Sequence, residues 1–265
     1  PKAIFFDVIF SEESSAEEDL VLGHEIEKAG NVVLPFYFPA SSRKNVSFQA
    51  EGLPIPKLRD KARMLAYVNA FPDRDGHVRE IPLSMVHKGQ RYVNASLAMA
   101  AIAQDFKEED FKKYDKIQNV FINFTGPYQV FTVIPFEYLI AIHSEPWAQG
   151  ILKSLKDKII MVGHTATGTA MDLKPAPFSP QYPGVGLQAS TVHTLLSNKF
   201  IHRLPWWALF LLYIFYIYGL LVMCTRTSPF RGLLYMLASL TILFEICILS
   251  FQHIQVWVLF FGFII

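Results

Sequence analysis

The sequence predicts a mixed α/β domain built on a mainly parallel sheet with flanking helices, followed by a transmembrane helical segment. Three observations carry this. From Leu204 to Ile265 the only charged side chains are Arg226, Arg231 and Glu245, whereas the chain before Leu204 alternates apolar runs with polar stretches. An apolar run at Ala3–Phe10, a helical pattern at Ala16–Gly30 and a second apolar run at Asn31–Phe38 follow one another. Strand, helix, strand is a crossover unit, and it requires parallel strands covered by helices. The chain is also 52% hydrophobic and 18% charged, with a mean hydropathy of +0.27. That exceeds an ordinary soluble domain, and the excess sits at one end. The expected division is a water-soluble domain over residues 1–203 and a membrane segment over 204–265.

Each element has its own signal. Ala3–Phe10 (AIFFDVIF) reads as a buried strand interrupted by Asp7. Ser11–Ser15 is a polar loop, and the helix that follows ends at Gly30, a normal stop. Residues 39–62 are polar and hold Pro54 and Pro56, so a loop is expected. Ala66–Leu83 reads as two strands around a turn at Asp75-Gly76. Asn94–Ala103 is alanine-rich and helical, Gln118–Phe124 a strand before a Gly126-Pro127 break, and Phe136–His143 a short helix. Lys158–Gly163 (KIIMVG) is the strongest strand signal, and Gly184–Asn198 is a helix leading towards the membrane. The apolar tail divides into spans at Trp206–Cys224 and Leu233–Phe251, with a third from Ile254 that is cut short. A span needs about 20 residues.

Charge and cysteine usage narrow the function. The chain has 24 Lys+Arg and 23 Asp+Glu, and without the tail's three charges 22 of each remain. A domain with no net charge gives no sign of a nucleic-acid partner, which requires a basic face to offset phosphates. Both cysteines, Cys224 and Cys247, fall in the tail, so disulfides do not hold the domain together. Arg226 and Arg231 lie in the loop Thr225–Gly232, and the loop Gln252–His253 has neither Lys nor Arg. The positive-inside rule then puts the arginine loop in the cytoplasm and the domain outside, although Lys199 and Arg203 flank the first span on its outer side. The abrupt start at Pro1 and stop at Ile265 read as a piece of a longer protein.

Four stretches carry a family resemblance: AIFFDVIF with Asp7, Tyr67–Leu83 (YVNAFPDRDGHVREIPL), Phe121–Pro127 (FINFTGP) and Lys158–Leu196. In order and spacing they resemble the second type of CHASE domain, the sensory extracellular domains associated with cyclases and histidine kinases. The resemblance implies an extracytoplasmic sensor in the inner membrane, working as a homodimer with no cofactor. It implies a small solute of unknown identity as ligand, and a cytoplasmic cyclase or kinase as output. The chain departs from the family at Pro183–Ser190, where PGVGLQAS stands in place of a frequent PGVEIHAN. An acid and an imidazole are missing there, so a site that uses them does not carry over.

The candidate ligand-binding residues are Asp7, Gly163, His164, Thr165 and Asp172. Asp7 is an acid in an apolar run, either a hydrogen-bond anchor or a ligand contact, because a buried carboxylate needs a partner. Gly163–Asp172 (GHTATGTAMD) follows the best strand and is rich in small hydroxyl residues. It is either a turn whose hydroxyls satisfy the backbone or one wall of a sensor pocket. It lacks the Gly-Lys-Ser/Thr ending of a phosphate-binding loop. Asp73–Gly76 reads as a hairpin turn in preference to a calcium loop. The carboxylates Glu12, Glu13, Glu17, Glu18 and Asp19 read as a solvated helix start, not a metal site. Glu245, alone deep in a span, is expected to bond to a Tyr or Ser of a neighbouring helix, or to take part in signalling. Two other functions compete with the sensor: a membrane-anchored hydrolase with Asp7, His164 and Asp172 around a metal, and an envelope protein-interaction module.

Overall fold

The computed structural model describes residues 1–38, 52–87, 89–115, 117, 119–140, 149–165 and 173–257. It divides into two compact units, Pro1–Asn198 and Lys199–Ile265.

The first unit begins with β1 (Ala3–Phe6), α1 (Ala16–Ala29), β2 (Val32–Phe36), α2 (Pro56–Arg59) and β3 (Met64–Tyr67). It continues with β4 (Glu80–Pro82), β5 (Ser84–His87), β6 (Gln90–Val93), α3 (Ala95–Ala103), α4 (Glu108–Asp115) and β7 (Asn119–Phe121). After these come α5 (Phe136–Ile140), α6 (Gln149–Ser154), β8 (Ile159–Val162), β9 (Leu173–Ala176), β10 (Ser179–Pro183) and α7 (Gly184–Ser197).

The expected crossover unit is present, with both ends of its helix fixed by local chemistry. Ser15 caps α1 by accepting from the Glu18 amide at 3.2 Å, and Gly30 closes it in the left-handed region at φ 68°. Glu17, Glu18 and Asp19 occupy the first turn, where carboxylates favour the positive end of the helix dipole.

The central sheet has four parallel strands in the order β3-β2-β1-β8. Alternate side chains serve opposite layers, as the pleat requires. Ala3, Phe5 and Val33 face α3 and α7, packing with Ala98, Met99 and Val192. Ile4, Val32 and Leu34 face α1 and α2, packing with Ile26, Ile55 and Leu58. The α3–α7 contact is close because α3 presents small residues, and it is polar at one point. There the Ser96 hydroxyl lies 2.5 Å from Gln188 Oε1, and both residues are buried.

Several expectations are corrected. The run Ala3–Phe10 stops being a strand after Phe6, because β8 ends at Val162 and offers no further rung. Ala66–Leu83 is not one hairpin: β3 joins the parallel sheet, while β4 pairs antiparallel with β7. The turn itself is real. The Gly76 amide donates to Asp73 O and the Asp73 amide to His77 O. Arg79 pairs with Asp73 at 2.9 Å and with Asp75 at 2.6 Å, so the two carboxylates are held by a cation of the chain itself. The stretch at 118–124 shortens to β7, while α5 occupies the described part of the helix expected at 136–143, with 141–148 outside the described residues. The β5–β6 and β9–β10 hairpins were not anticipated.

The second unit holds α8 (Trp206–Arg226) and α9 (Pro229–Leu249), followed by a π turn at Ser250–Ile254. Two short strands, β11 (His202–Arg203) and β12 (Val256–Trp257), pair in parallel. The connection between the two helices is shorter than expected, because α8 runs on to Arg226 and Pro229 starts α9. Each helix has 21 residues, about 31 Å at a rise of about 1.5 Å per residue, which matches a hydrocarbon core of about 30 Å. Tyr216 Oη and Ser239 Oγ meet between them at 3.0 Å. Glu245 takes no part in that contact; it is exposed on α9 and bonds neither a Tyr nor a Ser among the described residues. The third expected span lies largely outside the described residues.

Candidate functional site

From β1 the chain moves to β2 and β3 on one side and returns to β8 on the other. The strand order therefore reverses between β1 and β8, and in open parallel sheets ligands bind beyond the carboxyl ends at such a point. Those ends are Phe6-Asp7 and Val162-Gly163. They are tied by the Asp7 amide, which donates to Val162 O at 2.6 Å.

A cavity of about 550 Å³ opens alongside β8. This is within the range of about 300–1,000 Å³ typical of small-molecule pockets. It has three walls. One is β8 with Gly163 and Thr165; the second is a stripe of α7 formed by Val185, Ala189, Val192, His193 and Leu196; the third is the segment Phe131–Phe136 with Leu139. The α7 stripe recurs at the spacing of one helix face. Among the described residues, no Asp, Glu, Lys or Arg lines the cavity, and the polar groups in its wall are Tyr128, Thr132, Thr165 and His193.

Two glycines set the geometry. A β-carbon on Gly163 would stand 2.7 Å from Val185 Cβ and 3.1 Å from Asp7 Cβ. The start of α7 can therefore settle on the strand ends only because position 163 has no side chain. A β-carbon on Gly186 would stand 2.8 Å from the Tyr182 ring and 3.1 Å from Tyr128 Cβ. The buried Tyr182 ring fills that place, and its hydroxyl donates to Gly126 O at 3.2 Å and lies 3.2 Å from Ser190 Oγ. Burial pushes the Tyr182 phenol above its usual range, so it stays a donor. Tyr182 thus fastens the root of the covering segment to α7. The cover itself is loosely held: Val133, Phe136 and Ile140 are 51%, 59% and 66% exposed.

Of the residues singled out from sequence, Gly163 and Thr165 are in the cavity wall, and His164 is exposed between them. Asp7 is half-buried beside Gly163, one residue beyond β1 at the mouth of the sheet and not inside a strand. Asp172 lies outside the described residues. Among the described residues, no three His, Cys, Asp or Glu side chains converge as metal ligands would. Sequence reasoning missed the covering segment and the α7 stripe. The latter had a readable signal in the spacing of Val185, Ala189, Val192 and Leu196.

A parallel α/β domain with an apolar cavity at its switch point, in a chain that also carries two membrane-length helices, has the build of a sensory input domain. The family model described as CHASE2 domain matches residues 1–224, and the chain belongs to this family of sensory extracellular domains. No curated protein and no solved structure matches the chain.

Proposed function

We propose that the chain is the extracytoplasmic input of a multi-pass membrane receptor, and that its cavity binds a small, largely apolar solute. The observation that carries this is the cavity lining, which among the described residues offers apolar walls and a few hydrogen-bonding groups but no charge. A sugar, an amino acid or a phosphate ester would leave its polar groups unpaired there, at a cost of about 1–3 kcal/mol for each. The exposed apolar side chains of the cover gain burial by closing on an apolar guest. Binding then shifts the domain towards a closed state, because the guest has greater affinity for it.

In this reading α8 and α9 both cross the bilayer. The short turn between them, flanked by Arg226 and Arg231, faces the cytoplasm. Because α7 forms one wall of the cavity and precedes α8 in the chain, closure displaces α7 and so acts on the membrane helices, in a homodimer whose output is a cyclase or kinase. Asp7 and His164, which flank Gly163, select the polar end of the solute. The test is a thermal-shift screen of the chain in lipid nanodiscs. Uncharged aromatic and aliphatic solutes raise the melting temperature, while sugars, amino acids and nucleotides leave it unchanged. A panel in which only charged solutes stabilise the protein contradicts the reading.

A further inference from the structure

Four hydroxyls of the second unit are satisfied locally: Thr225, Thr227, Ser239 and Thr241 each donate to a carbonyl three or four residues back. Glu245 differs from them. Its side chain is exposed, and it makes no hydrogen bond among the described residues. It lies eight residues before His253, the end of the apolar stretch, so about 12 Å inside it at a rise of about 1.5 Å per residue. A carboxyl in hydrocarbon is costly unless another group takes its hydrogen bonds.

The neighbouring helix does not supply that group. The α9 residues nearest α8 are Gly232, Ser239, Leu243 and Cys247, which are the buried or half-buried ones on the helix. At about 100° per residue, Glu245 stands about 200° round from Leu243, on the opposite face. That face has a pattern of its own. Leu234, Ala238, Thr241, Glu245 and Ile248 recur at alternating intervals of four and three residues, and all are exposed. This is the heptad spacing of side chains that meet a partner helix.

We propose that this seam pairs with the same seam of a second copy of the chain, with Glu245 against its twin. Two copies inserted in the same sense present α9 in parallel and in register, so a twofold axis sets each side chain against itself. Facing carboxyl groups can hydrogen-bond to one another, so Glu245 meets a counterpart able to take its hydrogen bonds. The seam holds no cation and needs none. This rests on the reading that α8 and α9 lie in the bilayer, and it gives the proposed homodimer a contact surface.

The test uses the whole chain with Cys224→Ser and Cys247→Ser, carrying one new cysteine at Ile248 (on the seam) or at Ile246 (off it, 51% exposed). Membranes are washed at alkaline pH and treated with a short bis-maleimide. The chain stays with the membrane, Ile248→Cys bridges two copies, and Ile246→Cys bridges several-fold less. Dilution in lipid vesicles then shows Glu245→Leu weakening association about tenfold, while Glu245→Gln retains it. Release by the alkaline wash overturns the bilayer reading. Retention with no bridging at Ile248 overturns the dimer seam, as it would if a later segment of the same chain covered that face. Equal bridging at both positions, or equal association of Glu245→Leu, also overturns it.

Discussion

Gly163 and Val185 touch at a distance that no side chain at position 163 could share. The built β-carbon of Gly163 would lie 2.7 Å from Val185 Cβ and 3.0 Å from its Cγ2. This contact brings the first turn of α7 onto the end of β8. Gly163→Ala is therefore expected to cost about 1–3 kcal/mol through overpacking. Adding Val185→Ala should recover part of that loss, because the two residues share one contact. Chemical denaturation of the single and double variants measures the coupling.

The Ser96–Gln188 bond is the polar point in the contact between α3 and α7. Ser96→Ala leaves a buried amide oxygen short of its side-chain donor and is expected to cost about 1–3 kcal/mol. Replacing both residues with Ser96→Ala and Gln188→Leu should be milder than Ser96→Ala alone, since no polar atom is then stranded. The same denaturation experiment decides it.

The Arg79–Asp75 pair predicts a particular acid limb. The Arg79 guanidinium, helped by the His77 amide, holds the Asp75 carboxyl well below the usual carboxylate range. In this window the folded state binds fewer protons than the unfolded state, so stability rises with pH. The contribution is complete above about pH 4, the unfolded value, and is lost as pH falls through the depressed folded one. Arg79→Gln should flatten this part of the stability–pH curve and leave its slope above pH 5 unchanged. Melting curves between pH 2 and 6 test it.

The fold was legible where the signals are local. The Ser15 cap, the Gly30 stop and the flanking apolar runs specify the β1–α1–β2 unit within about 35 residues of sequence, as such a crossover requires. Partners far apart in the chain were not legible. Asp75-Gly76 announced a turn, but nothing local says that β3 pairs with β2 and β4 with β7. Asp7 looked internal to a strand because its neighbours are apolar; only the end of β8 shows why β1 stops before it. The cavity was half legible. The loop after β8 supplied Gly163 and Thr165, while the other walls come from residues 128–139 and from α7, which meet only on folding.

The most direct test of the sensor reading is calorimetric titration of the whole chain in nanodiscs with an uncharged apolar solute from the screen, beside the Ala189→Phe variant and empty nanodiscs. Ala189 is half-buried in the α7 wall, so a phenyl ring there fills the cavity without entering the sheet core. The predicted result is saturable binding to the wild type, at least about tenfold weaker binding to Ala189→Phe, and similar melting temperatures for the two proteins without solute. Equal binding by both proteins, or saturable binding by neither, contradicts the account.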